Sequence, residues 1–228
     1  MYKYETHLHT SPVSRCASVA ATVEACLKFY KELGYDGVFI TNHFLDGNVN
    51  IDPDKSYEEK IEFYFSDYEK ALELGKTIGI KVFCGVELTY GGTDFLVYGL
   101  EKAWFLAHPE IMDMKKSDEL TFLMENGALI IQAHPFREAS YIDHIRLFPR
   151  HVHGVEVVNA NRAEQENKMA TIYAQNYNLI AFAGSDNHIA SRQKKLAGIS
   201  CEEAICSVED FISKVKGNKI KIFTLINE

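Results

Sequence analysis

Several absences narrow the reading before any motif does. The chain has no apolar run approaching membrane-spanning length and no basic-then-apolar leader pattern at its start. It has no Cys-X-X-Cys pair, and its five cysteines, Cys16, Cys26, Cys84, Cys201 and Cys206, are an odd number. They read as reduced thiols, mostly core filler. There is no basic surplus: 24 Lys and Arg against 32 Asp and Glu leave a charge of −8. That balance argues against non-specific nucleic-acid binding, which needs a basic footprint. It still permits an anionic substrate, because bound cations would reverse the local field. No repeat, low-complexity tract or linker interrupts the 228 residues. The expectation is one soluble, cytoplasmic domain over residues 1–228 with no membrane partner.

What is present is a core-forming chain, 46% hydrophobic, that alternates strand and helix patterns. Strand-like runs begin near Tyr2, Gly37, Ile80, Phe95, Ala128, Gly154 and Leu179. Helical spacing is found over Val19–Leu33, Ser56–Ile78, Ser117–Glu125, Arg162–Asn176 and Val208–Val215, with a short helix expected over Ser140–Phe148. Residues 103–117 fit neither pattern cleanly. The alternation predicts an α/β domain built on parallel strands.

The chemistry sits at the ends of those strands. Thr6-His7-Leu8-His9-Thr10 closes the first, and residues i and i+2 of a strand share a face, so both imidazoles aim together. His43 follows the second run, Glu87 the third, His134 the fifth, and Asp186 and His188 the last. In a (β/α) barrel these ends meet on one face, where active sites lie. Asp186 and His188 repeat the i, i+2 spacing, provided that the chain is extended there.

The set Thr6-His7-Leu8-His9-Thr10, Thr41-Asn42-His43, Gly85-Val86-Glu87, Ala133-His134-Pro135 and Gly184-Ser185-Asp186-Asn187-His188 resembles the PHP (polymerase and histidinol phosphatase) superfamily, in family order across residues 2 to about 190. The resemblance implies a distorted (β/α)7 TIM-like barrel holding two or three divalent metals, with Zn, Mn or Fe suited to mixed imidazole and carboxylate donors. It implies that His7, His9, Glu87 and Asp186 hold one metal, that Glu87 and His134 hold a second, and that His43 and His188 belong to a third. It also implies phosphoester hydrolysis by a metal-activated hydroxide, with Glu87 central. His188 or a metal-bound water is the candidate proton donor to the leaving group. Two departures stand out. Arg15 occupies a position where the family often has His, which weakens a third site and suggests phosphate contact instead. Asp94 stands nearest to another family His, and reads first as a turn residue and second as a ligand. Asn42 replaces a common Asp, a change expected one step away from the metals.

Plainer readings accompany these. Arg192 and Arg162 follow strand-end loops and could reach a substrate anion, although solvated charge is the simpler account. Glu156 and Asn159 read as structural, with Glu156 pairing inside the barrel. His108, His144, His151 and His153 read as surface or loop residues. The expected function is a metal-dependent phosphoesterase acting on a small phosphomonoester, such as a histidinol-phosphate-like or nucleotide phosphate. The alternatives are a non-catalytic or regulatory PHP module that binds a protein partner and, ranked lowest, an amidohydrolase-type enzyme, since no Lys stands at these strand ends.

Overall fold

The computed structural model describes residues 1–227. The seven expected runs form β1 (Tyr2–Leu8), β2 (Gly37–Ile40), β3 (Lys81–Tyr90), β4 (Thr93–Tyr98), β5 (Leu129–Ala133), β6 (Gly154–Asn159) and β7 (Ile180–Gly184). Two further strands, β8 (Lys195–Cys201) and β9 (Lys221–Ile226), complete one sheet in the order β7-β6-β5-β4-β3-β2-β1-β8-β9.

The all-parallel expectation is corrected at three strands. β4 runs antiparallel between β3 and β5, β8 is antiparallel to β1, and β9 is antiparallel to β8. The cause at β4 is local. Gly91 and Gly92, with φ of 55° and 84°, make a tight turn after Tyr90, and so short a link joins only antiparallel neighbours. This reversal brings Asp94, at the start of β4, to the same rim as the ends of β3 and β5, where it pairs in register with Thr89 and Ala133.

The sheet curls until β7 returns to β1. Thr6 Oγ1 donates to the Ala183 carbonyl at 2.5 Å, and Leu8 bridges Asn187. The buried Glu5 Oε1 accepts the backbone N–H groups of Thr6, His7 and Ser185 at 2.9, 2.8 and 2.9 Å. The result is a nearly closed, distorted TIM-like barrel.

Helices α1 (Val23–Glu32), α2 (Tyr57–Ile78), α3 (Lys102–Ala107), α4 (Lys116–Glu125), α5 (Glu164–Tyr177) and α6 (Val208–Lys216) accompany the sheet. α1 begins later than its apolar spacing suggests, because Thr22 caps it by accepting from Ala25 N–H, and Val19 is left 88% exposed. α2 has a full capping box, Ser56 with Glu59, and a left-handed Gly79 at its end. Such a cap stabilises a helix by about 0.5–2 kcal/mol. The ambiguous stretch 103–117 resolves into α3, a 3₁₀ turn at Pro109–Asp113 and the start of α4. The helix expected over Ser140–Phe148 does not form. Its backbone is engaged elsewhere: Gln132 Nε2 donates to the Arg146 carbonyl at 2.8 Å, and Gln132 Oε1 accepts from Phe148 N–H at 3.2 Å.

One core cluster joins Tyr4, Phe39, Phe83, Tyr98 and Phe182 of the strands to Phe211 and Val215 of α6. Phe211 lies 4.4 Å from the Phe39 ring centroid and 5.1 Å from that of Tyr98. No helix among the described residues is long and apolar enough to cross a membrane.

Candidate metal centre

The strand ends deliver their side chains to one place. His7 and His9 converge as their spacing predicts, with Nε2 atoms 3.1 Å apart. Glu87 Oε1 lies 3.1 Å from His7 Nε2, and Glu87 Oε2 lies 3.3 Å from His9 Nε2. Asp186 Oδ1 is 3.5 Å from the first imidazole nitrogen and 3.4 Å from the second. A tetrahedral ion with bonds of ~2.1 Å needs donor atoms about 3.4 Å apart. The four side chains therefore have the spacing and the chemistry to hold one divalent cation.

A second group shares Glu87. His134 Nε2 is 3.4 Å from Glu87 Oε1 and 3.8 Å from Asp94 Oδ2, and the three residues cluster closely enough to grip a cation. A third group comprises His9, His43 and His188. His43 extends the β2–β3 pairing by a bridge to Glu87, which sets His43 Nδ1 2.8 Å from Glu87 Oε2. Clusters of buried His and Glu suited to one or more divalent ions are thus present.

The strongest sign that these groups are meant for a cation is what they lack. Both Glu87 oxygens and both Asp94 carboxylate oxygens are buried without an aligned hydrogen bond, and so is His43 Nδ1. A buried polar atom left without a partner is costly. Burial opposes charge on Glu87 and Asp186, yet His43 and His7 around the first, and His7 and His9 around the second, hold both carboxyls well below their ordinary range. Burial and the neighbouring His188 and His43 push His9 well down, which favours the neutral, metal-binding imidazole. Burial also opposes charge on His7, but Glu156, Asp186 and Glu87 outweigh it and raise it well above its usual value. A cation entering there exchanges for that proton.

An outer layer orients the donors. Glu156 Oε1 sits 3.0 Å from His7 Nδ1, and its Oε2 accepts from His134 N–H at 3.1 Å and Asn159 Nδ2 at 2.8 Å. Ser14 Oγ is 3.2 Å from His9 Nδ1 and donates to Asn42 Oδ1 at 2.9 Å. Asn42 is therefore one step removed from the donors, as its position suggests. Gly184 allows β7 to lie this close: a Cβ there would meet His7 Cβ at 2.5 Å. His134 and Asp186 both have positive φ, 25° and 53°. Residues other than glycine bear strain in that region, which tends to be kept at functional positions. The value at Asp186 also corrects the extended geometry expected for Asp186–His188. The carboxylate faces His7 and His9, whereas the His188 ring stacks on His9 with centroids 4.0 Å apart.

Above this floor opens a cavity of about 660 Å³ lined by His43, His134, Asp186 and His188. Arg137 and Arg162 stand on its wall, and the Nε of each is buried without a partner. Arg137 also reaches Asp94 Oδ2 at 3.2 Å. Arg15 and Arg192, the two basic residues expected to contact substrate, do not line it. Arg15 is exposed, and Arg192 donates to Ser18 at 2.5 Å. Cys16, next to Arg15, does line the cavity. Burial raises its thiol, but hydrogen bonds with the His188 and His43 rings outweigh that and bring it down to about 6. Arg137 carried no strand-end signal in the sequence, and Cys16 was one of five undistinguished thiols.

No protein-family model matches the sequence, and no curated protein does. The fold does have matches. It is the fold of PHP-like metal-dependent phosphoesterases. The chain is similar to a two-domain protein from Bacteroides vulgatus described as containing a predicted PHP-like metal-dependent phosphoesterase, with a TM-score of 0.65, 16% identity and coverage of 97% of this chain. It spans 64% of that protein, a little under two thirds. It is also similar to PsfC from Pseudomonas syringae, with a TM-score of 0.60, 15% identity and coverage of 99% of this chain and 92% of the other. A third match is Endonuclease Q, solved with a 27-mer duplex carrying an abasic lesion, with a TM-score of 0.62, 12% identity and coverage of 95% and 56% respectively.

Proposed function

We propose that the protein is a metal-dependent phosphoesterase that hydrolyses a small phosphomonoester. The observation that carries this reading is Glu87: a buried carboxylate with neither oxygen in an aligned hydrogen bond, ringed by four imidazoles from three different parts of the chain. His7, His9, Glu87 and Asp186 would hold one cation, and Glu87, His134 and Asp94 a second. Divalent cations bound there supply the acidity that makes water a nucleophile near neutral pH and neutralise charge on a phosphoryl group.

The rest is done by the chain. Glu156 fixes the tautomer and tilt of His7, because its carboxylate accepts from Nδ1 and leaves Nε2 free to face the site. Ser14 and Asn42 do the same for His9. Arg162 presents an unpartnered guanidinium edge to the cavity and is suited to a phosphate oxygen. Arg137 is shared between Asp94 and the cavity, so it links the second donor group to the substrate wall. The cavity volume suits a small molecule, for which pockets of roughly 300–1,000 Å³ are usual. The acidic surface favours such a substrate over a nucleic-acid duplex.

The test is a panel of phosphate esters, p-nitrophenyl phosphate, histidinol phosphate and mononucleotides among them, assayed with and without Mn²⁺, Zn²⁺ and chelator. A 27-mer duplex with an abasic site runs alongside. Chelation is expected to abolish monoester hydrolysis, and Arg162→Ala to raise KM more than it lowers kcat. Hydrolysis indifferent to chelation would count against the reading, and cleavage of the duplex alone would redirect it to nucleic acid.

A further inference from the structure

The loop between β5 and β6 carries an aromatic ring to the mouth of the cavity and leaves it open. Tyr141 lines that cavity, yet it is 68% exposed, more than Tyr2, Tyr90 or Tyr177. The loop is fastened on both sides of the ring. Before it, Arg137 donates to the Gly92 carbonyl at 3.3 Å, and Glu138 N–H donates to Glu166 Oε1 at 2.8 Å. After it, Ile142 packs so closely over Gly92 that a Cβ there would meet its Cγ1 at 2.7 Å, and Arg146 donates to the Gly91 carbonyl at 2.7 Å. The turn between β3 and β4 thus clamps the loop that presents Tyr141. The Arg137 guanidinium lies over the tyrosine ring, 5.7 Å from its centroid, and also reaches Asp94 Oδ2 at 3.2 Å. One planar side chain therefore separates the second donor group from Tyr141, and the rest of the ring faces the mouth.

We propose that Tyr141 is a stacking platform that selects phosphomonoesters whose leaving group carries a planar ring. The inference rests on the proposed function above and names the part of the substrate that the donor groups do not read. With the phosphoryl group at the donors and Arg162, the leaving group extends toward the mouth, where it meets Tyr141. A planar ring there covers apolar surface that now faces water, and its contact with the tyrosine's π face needs no hydrogen bonds. Arg137 holds the platform from behind through its charge on the ring. Because the loop is already fastened, little freedom is lost on binding, and tyrosine is well suited to such a role. Pairing with an arginine is not by itself what marks Tyr141. Tyr90 has Arg146 at 5.9 Å and is 47% exposed, but it does not line the cavity.

Adenosine 5′-monophosphate and ribose 5-phosphate are the probes, because they share phosphate and sugar and differ in the base. Both kcat and KM are measured on the full chain supplied with Mn²⁺. Wild type is expected to favour the nucleotide. The ratio of the two kcat/KM values should fall about tenfold in Tyr141→Ala, mainly through KM for the nucleotide. Tyr141→Phe keeps the ring and should keep the ratio. Tyr177→Ala, at an exposed tyrosine on α5 that does not line the cavity, should match wild type. If neither probe is cleaved, p-nitrophenyl phosphate against glycerol phosphate supplies the same ratio. A role confined to bracing Arg137 would lower both substrates alike and leave the ratio intact. That result, a wild type indifferent to the base, or hydrolysis confined to esters without a planar ring would overturn the Tyr141 assignment and leave the proposed function standing. Absence of metal-dependent hydrolysis of any ester would overturn both.

Discussion

The chain contains two His-X-His pairs, His7 with His9 and His151 with His153, and they have opposite fates. The first pair ends β1, lies fully buried and faces two carboxylates across distances of 3.1–3.5 Å. The second precedes β6, at the other end of the barrel. There each ring serves local structure. His151 Nδ1 lies 3.1 Å from Thr121 Oγ1, and His153 Nδ1 accepts from Ile130 N–H at 3.2 Å. Identical spacing gives convergent imidazoles in one place and separate hydrogen bonds in the other. What differs is which end of a strand the pair occupies, and so whether other strands deliver carboxylates to meet it.

That contrast can be broken experimentally, most severely at the first pair. His7→Asn combined with His9→Asn is expected to abolish tight metal binding and lower kcat by more than about a hundredfold, the upper range for loss of mere supporting partners. His151→Asn combined with His153→Asn should leave both within error, as elemental analysis and monoester hydrolysis would show. Equal losses in the two double variants would erase the distinction. Glu156→Gln sharpens it at one remove. It keeps the shape but not the charge of the group that orients His7, so metal affinity should fall by about 10–100-fold. A competition titration against a chromophoric chelator measures this.

The second pair should show itself in acid stability. Burial, with the nearby charge on Lys216, pushes His153 down to about 4. An unfolded chain takes up the same proton near pH ~6.5. Between these values the unfolded state binds more protons, so stability falls as pH drops from about 6.5 to about 4. Urea midpoints should decline over that window, and His153→Gln should flatten the decline. A slope unchanged by the substitution would assign it to other groups. His151→Ala is the mildest change, expected to shift stability by no more than about 0.5 kcal/mol at neutral pH.

The convergence of His7, His9, His43, Glu87, His134, Asp186 and His188 was legible because each stands beside an apolar strand run, and that adjacency is local. Strand direction was not legible. Nothing in Phe95–Leu100 announces that β4 runs backwards, and the clue lay in the Gly91-Gly92 turn before it. Asp94 therefore read first as a turn residue. β8 escaped notice because its short run is broken by Gly198, whose missing Cβ lets the Tyr4 carbonyl approach; a Cβ would lie 2.3 Å from that oxygen. Arg162, which follows a strand-end loop, stands on the cavity wall, whereas Arg137 and Cys16 reach the cavity through loops whose paths depend on long-range packing that no window of sequence records. Arg15, expected to contact phosphate, is exposed and does not line the cavity.

The bond that closes the barrel sets a timetable. Glu5 meets Ser185, 180 residues later, and Asp186 follows immediately. During synthesis the opening histidines emerge long before Asp186, so their ring of donors is complete only when nearly the whole chain has left the ribosome. Contacts of such separation fold slowly. If the centre holds ions as proposed, loading would belong to the last stage of maturation, and a ribosome-bound chain ending before Gly184 should hold cobalt no better than an unfolded one.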